Sequence, residues 1–230
     1  KKEDDEELRL KYIRPFDSSY AVGNSAIAVT QVKEEVNRML DMVAKNIGDA
    51  FDTLIKYNDK SRKKVEEREE YIDYLNKGIS EYIVSLMAGE MNADDSRKIN
   101  GYYAIISNLE RIGDHATNIA GYADDMKKWD LKFSDTVLDE LEEMKKQCIT
   151  CLENVKNVDS SDTGRVLSQA EVLEQKTDDM RDKYFKKQMQ RLKKGKCNPQ
   201  SGIVFSEVLT DFERMGDHAL NIAQQYKEMG

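Results

Sequence analysis

Two segments of this 230-residue chain carry side chains whose types and spacing could do chemistry. Asn108-Leu109-Glu110-Arg111-Ile112-Gly113-Asp114-His115-Ala116-Thr117-Asn118-Ile119-Ala120 returns as Asp211-Phe212-Glu213-Arg214-Met215-Gly216-Asp217-His218-Ala219-Leu220-Asn221-Ile222-Ala223, with nine of thirteen positions identical. On a helix, Ser107, Glu110, Asp114 and Asn118 share a sector of about 80°, opposite Ile105, Leu109, Ile112, Ala116 and Ile119. Glu213, Asp217 and Asn221 repeat the arrangement. Acids at i, i+4 repel by roughly 0.2–0.5 kcal/mol on an exposed helix. A bound cation would offset that repulsion, and oxygen donors of this kind suit Mg²⁺, Mn²⁺, iron or, less typically, zinc. For a single copy, a solvated face partly neutralised by Arg111, by Arg214 or by a neighbouring lysine would be the plainer account. Two copies in equivalent places favour a built site.

Each pair needs donors from a second helix. Glu69, Glu70 and Asp73 form one acidic stretch, and Glu174 with Asp178 lies at a comparable place in the second half. For these, a ligand role and an ordinary acidic surface both stay open. The two histidines, His115 and His218, directly follow the second acid of each copy. That puts them about 100° round from it, better placed for an interhelical hydrogen bond than for ligation. Gly113 and Gly216 cost their helices roughly 1 kcal/mol each relative to Ala, which points to close approach of another helix. Cys148 and Cys151 have Cys-x-x-Cys spacing but sit inside an amphipathic helical pattern, away from a helix N-terminus that would stabilise a thiolate.

The elements that must position these groups are helices. Val32, Val36, Met39, Leu40, Val43, Ile47, Phe51 and Leu54 recur at three and four, so a first helix is expected over about 29–56. A second follows Asn58 and Asp59 and stops near Gly89, and a third runs from about Ser96 to Lys127. A second cycle begins at Ser134, continues from about Gly164 to Lys194, and restarts at Pro199. Glu213 and Asp217 lie 103 residues after Glu110 and Asp114, so the repeat unit is one set of three helices. The expected fold is all-α: two tandem three-helix bundles of six antiparallel helices, each roughly 25 to 35 residues long. Residues 1–28 form an arm, 29–130 the first bundle and 131–230 the second.

Composition narrows the function classes. With 36 basic and 44 acidic residues the net charge is −8, which argues against nucleic acid as a partner. The longest uncharged stretch, Ser18 to Val32, is too short and too polar to span a membrane. Three cysteines cannot all pair within one chain, which suits a reducing compartment. No nucleophile with a base partner and no glycine-rich phosphate loop is visible, so no catalytic turnover is expected. A ferritin-like di-metal oxidoreductase would show Glu-x-x-His pairs, but Ile112 and Met215 stand three residues before the histidines.

The doubled segment resembles the paired Glu/Asp-x-x-x-Asp signatures of the PhoU family, over about residues 29 to 230. The resemblance implies two tandem three-helix bundles with multinuclear iron or zinc clusters at Glu110, Asp114, Glu213 and Asp217. Asp73 and Asp178 are candidates to complete them, and Arg111, Arg214, His115, His218, Asn118 and Asn221 to support them. It also implies regulation of phosphate uptake, through a transporter or a phosphate-sensing histidine kinase, with inorganic phosphate involved indirectly. The segment from Leu8 to Ala28, with Arg14-Pro15-Phe16, is similar to the joint before the C-terminal PhoU-like domain of bacterial sodium-phosphate cotransporter proteins. On that likeness the chain is expected to be a cytosolic regulatory domain cut from a membrane protein, with the transporter part of the same protein as its partner. A second copy of the chain, as a homodimer, completes the partners to consider.

Overall fold

The structure is a computed structural model and describes residues 7–14 and 25–230. Six helices make it up: α1 (Ser25–Ile55), α2 (Asp59–Met87), α3 (Ala93–Lys128), α4 (Asp135–Asn154), α5 (Thr163–Lys193) and α6 (Pro199–Met229). A 3-10 turn, Ser160–Asp162, leads into α5, and no strand occurs among the described residues. Asn58, Asn92, Ser134 and Asn198 cap α2, α3, α4 and α6 by accepting from backbone N–H groups of the first turn. Pro199 opens α6, where its missing N–H costs nothing.

The helices form two tandem three-helix bundles, α1–α3 and α4–α6. Val36, Ile47, Ile72, Ile83, Ile105 and Ile119 are fully buried in the first; Leu141, Met144, Val208, Phe212 and Ile222 are fully buried in the second. The bundles meet mainly along α3 and α6, which run antiparallel, with a lesser contact between α1 and α4. Lys145 Nζ to Asp52 Oδ1 at 2.6 Å ties that lesser contact.

Three boundaries differ from the sequence reading. The first helix starts at Ser25, so residues 25–28, expected in the arm, continue the amphipathic pattern, and Ala28 is buried. The third starts at Ala93 because Asn92 caps it through Asp95 N at 2.8 Å. Helix α4 has 20 residues, fewer than expected, although the apolar stripe runs on. Val155 and Val158 stay buried in the connection while Asn157 turns the chain with φ 51 and donates its N–H to Asn37 Oδ1.

The described part of the arm, 7–14, lies against the first bundle. Fully buried Glu35 accepts from the backbone N–H groups of Lys11 and Tyr12, and Arg38 Nη1 donates to the Arg9 carbonyl at 3.0 Å. Ile13 is buried and Leu10 packs on α2 beside Gly78. The rest of the similarity to a cotransporter joint, Pro15 to Asn24, falls outside the described residues.

Candidate metal centres

The helical period places Glu110 and Asp114 on the outer face of α3 and Glu213 and Asp217 on that of α6, while Leu109, Ile112, Ala116 and Ile119 are buried beneath. Beside each ridge runs an acidic helix, α2 in the first half and α5 in the second. The two sites are nevertheless built differently.

In the second half, Glu174 and Asp178 of α5 join Asp217 of α6, and one oxygen from each lies within 4.8 Å of the others. Burial is the main cause that raises the Glu174 carboxyl above its ordinary range, with the charges of Asp178, Asp217 and Glu213 adding. Asp217 is raised by burial and then by Glu213 and Asp178, against a smaller opposing effect of Arg214. Glu213 stands aside from this trio and pairs with Arg181 Nε at 3.4 Å. Arg181 also lies 5.5 Å over the Phe185 ring.

In the first half the distinctive group is Glu69. Its Oε2 is buried without a hydrogen-bond partner, as is Thr117 Oγ1. Burial, followed by the charges of Asp73, Asp114 and Glu110, pushes its carboxyl up to about 7, with the nearby Thr117 hydroxyl opposing. Glu110 is raised by burial, Asp114 and Asp73, and Asp114 by burial and Asp73; Arg111 works against both shifts. An orphaned, half-buried carboxylate among three more acids is the electrostatic debt that a cation would settle. The donor set is all oxygen in both halves.

The remaining members of the repeat face each other across the α3–α6 seam. His115 Nδ1 lies 2.6 Å from Asp211 Oδ1, Asn118 Nδ2 donates to the same oxygen at 3.1 Å, and Tyr122 O–H donates to Oδ2 at 2.7 Å. Opposite, His218 Nδ1 lies 3.1 Å from Asn108 Oδ1, which also accepts from Asn221 Nδ2 at 3.3 Å. The two imidazoles stack with centroids 5.7 Å apart. Burial lowers His218 to about 4, helped by the charges of His115, Arg111 and Arg214, so the ring is neutral at pH 7, and its Nδ1–H donates to Asn108 Oδ1, an oxygen that can only accept.

Asn118 and Asn221 therefore serve the seam and not the acidic ridge they were expected to share. Each i, i+4 step drifts 40° round the helix, and two such steps carry the amide from the Glu110 side to the flank facing α6. Arg111 and Arg214 are exposed beside the ridges. Gly216 sits where a Cβ would lie 2.9 Å from Thr177 Cγ2, a real close approach, whereas the nearest atom to a Cβ at Gly113 is Glu69 Oε2 at an ordinary 3.5 Å. Cys148 and Cys151 are buried free thiols, their pKa values raised by burial.

Residues 36–123 and 139–226 each match the PhoU domain. The chain belongs to the PhoU domain family. Both matches span one bundle's three helices, and each contains one acidic ridge. A relative from Thermotoga maritima, named as phosphate-specific transport system accessory protein PhoU homolog 1, is 26% identical over 205 residues, 88% of this chain and 88% of that protein. PhoU from Pseudomonas aeruginosa superposes with a TM-score of 0.76 at 20% identity, covering 87% of this chain and 95% of that one. The phosphate transport system regulatory protein PhoU from Streptococcus pneumoniae gives 0.76 at 16% identity, covering 90% and 96%. At these identities the two structures speak for the PhoU fold.

Arg181, Tyr122 and Asp211 are the functional neighbours that sequence reading missed. Asp211 was visible as the place where the second copy carries Asp for Asn108, a charge change at an otherwise matched position.

Proposed function

We propose that the chain is a regulatory adaptor of phosphate transport whose two acidic ridges hold metal ions. The observation that carries the metal half is the convergence of Glu174, Asp178 and Asp217 oxygens within 4.8 Å of one another. Glu69, Asp73, Glu110 and Asp114 would hold the counterpart in the first half. The groups gathered on the ridges are carboxylates, while His115 and His218 each use Nδ1 in the seam, and an all-oxygen donor set suits iron, manganese or magnesium better than zinc. A bound ion would supply positive charge that joins α2 to α3 or α5 to α6.

The adaptor half rests on the relatives. A protein named as a phosphate transport accessory aligns over 88% of its own length, which favours an adaptor over the C-terminal domain of a sodium-phosphate cotransporter. No helix among the described residues is long and apolar enough to cross a membrane. The expected site of action is the cytosolic face of a phosphate transporter, with a phosphate-sensing kinase as a second partner.

Elemental analysis and calorimetric titration with Fe²⁺, Mn²⁺ and Zn²⁺ test the metal half. We expect stoichiometric binding, weakened more than tenfold at one site by Asp178→Ala with Asp217→Ala and at the other by Glu110→Ala with Asp114→Ala. Metal content unchanged by either pair would overturn it. For the adaptor half, co-purification with a phosphate transporter's cytosolic side is expected, and its absence for folded protein would overturn the reading.

A further inference from the structure

Residues 181–196, the second half of α5 and the turn after it, hold eight basic side chains and one acidic one, a net +7 in a chain of −8. The first-half counterpart, 76–91, has one lysine and two glutamates, a net −1. The same place in the same fold therefore does not require the charge. Cations in a last turn do favour a helix, yet that accounts for Arg191 and Lys193 alone, and α2 ends with none.

Part of the charge is used inside the bundle. Arg191 pairs with buried Glu140 at 2.9 and 3.0 Å, Lys187 lies 3.7 Å from the same carboxylate, and Arg181 is shared between Asp182 and Glu213. Lys183, Lys186, Lys193, Lys194 and Lys196 are exposed and hold no ion pair among the described residues. Residues 135–146 of α4 and 199–210 of α6 pack beside this segment through Glu143, Glu140 and Gly202. They carry six acids against Lys145 and Lys146, so the three segments together still hold a surplus of +3. By the helical period Lys183, Lys186, Lys187 and Lys193 share a sector of about 120° over about 15 Å, turned away from buried Tyr184 and Gln188. Phe185, 39% exposed, and Ile203 of α6, 64% exposed, add apolar side chains at the same end.

We infer that this lysine stripe of α5 is a docking surface for an anionic lipid membrane. Every cation left uncommitted here is a lysine, because both arginines are bound within the fold. Lysine is a hydrated point charge on a flexible stem, depleted in protein interfaces and without the bidentate fit of arginine to a carboxylate or phosphodiester. Such a stripe, with apolar side chains beside it, suits a fluid layer of negative headgroups, where no single charge has to be met in a fixed place. The rest of the chain is acidic, so the same layer repels its other faces and selects one orientation. Docking would hold the chain beside a membrane-embedded partner, whether or not the ridges carry metal.

The test is co-sedimentation of the whole chain, with chelator so that no metal bridges the ridges to lipid, on vesicles of phosphatidylcholine alone or with about 30% phosphatidylglycerol. Binding to the anionic vesicles only is expected, and it should be lost at about 0.5 M salt. One lysine near such a surface is worth about fivefold, so Lys183→Gln, Lys186→Gln and Lys193→Gln together should weaken partitioning at least about tenfold. Ile203→Ser should weaken it several-fold. Three exposed lysines removed from α2 instead, Lys60→Gln, Lys63→Gln and Lys77→Gln, should change it by about twofold at most. Both triple variants should melt with the parent, since none of these lysines is buried. No binding to anionic vesicles, equal binding to neutral ones, or equal losses from the two triple variants would overturn the assignment. Binding of RNA or poly-glutamate that the α5 variant loses, without vesicle binding, would give the stripe a different partner and overturn it as well.

Discussion

The two halves carry the same motif on the same helix of the same bundle, yet they handle its charge in different ways. In the second half the surplus is shared outward: Arg181 takes Glu213, and the other three acids stay close together at the surface. In the first half position 76 is Asn where the second has Arg181, and the charge is held inward on Glu69, beside the Thr117 hydroxyl. The seam is unequal too: Asp211 collects three donors, and its counterpart Asn108 collects two weaker ones. A repeated sequence can therefore keep its acids while the neighbours that tune them diverge.

The sharpest way to break this comparison is to remove the seam acceptors one at a time. Asp211 is 4% exposed and satisfies His115, Asn118 and Tyr122, so Asp211→Ala strands three donors and should cost about 3 kcal/mol of unfolding free energy in urea. Asn108→Ala leaves only His218 and Asn221 and should cost about 1 kcal/mol. Equal costs would mean that the charge at 211 adds nothing to the seam. The glycines divide in the same direction. Gly216→Ala forces a methyl to 2.9 Å from Thr177 Cγ2, and overpacking outweighs the gain in helix propensity by about 1–2 kcal/mol. Gly113→Ala meets nothing closer than 3.5 Å and should raise the melting temperature, by up to about 1 kcal/mol of stability.

That pair of glycines also shows where sequence reading reaches its limit. The helices, their order and the buried stripes follow from a 3.6-residue period that is a property of the chain alone, and the doubled motif locates both ridges. Gly113 and Gly216 are the same letter in the same repeat, but only the opposing residues, Glu69 with Ile72 in one half and Thr177 in the other, decide whether a methyl fits. Arg181 was likewise invisible as a partner of Glu213, because 32 residues and a turn separate them and the pairing depends on how α5 is rotated against α6. The start of α1 at Ser25 was missed although Asn24 and Ser25 are residue types that favour a helix start, because the uncharged small-residue stretch from Ala21 to Ala28 continues the character of the arm. Local period is legible; the rotation of one helix against another is not.

Glu69 sharpens the contrast through pH. Its carboxyl, raised to about 7 by burial, is protonated in the folded chain over a range where the unfolded chain is ionised. Between its ordinary value and about 7 the folded state binds more protons, so this group's stabilising contribution declines as pH rises. Glu69→Gln should remove that slope and stabilise the metal-free protein at pH 8 by about 1–2 kcal/mol after allowance for solvent screening. Glu174→Gln, at the more open counterpart, should do less. Urea titrations of both variants at pH 5 and 8, with chelator, read the difference directly. His218, lowered to about 4, works in the opposite sense and weakens the fold as pH falls below its ordinary value, so the Glu69 effect must be taken as a difference from the parent at each pH.

The smallest expected effect lies at Arg181. Its guanidinium would compete for Glu213 with a cation held beside the Glu174, Asp178 and Asp217 trio, across a part-exposed ion pair worth about 0–1 kcal/mol. Arg181→Ala should therefore tighten metal binding at the second ridge by up to about fivefold and leave the first ridge unchanged. Asn76→Arg is the converse: placed at the matching position, it should weaken the first ridge by a similar factor. Titrating Mn²⁺ into each single-site background separates the two ridges. If Arg181→Ala weakens the second ridge instead, Arg181 is holding Glu213 in position for the metal, and the two halves differ in preorganisation and not in competition.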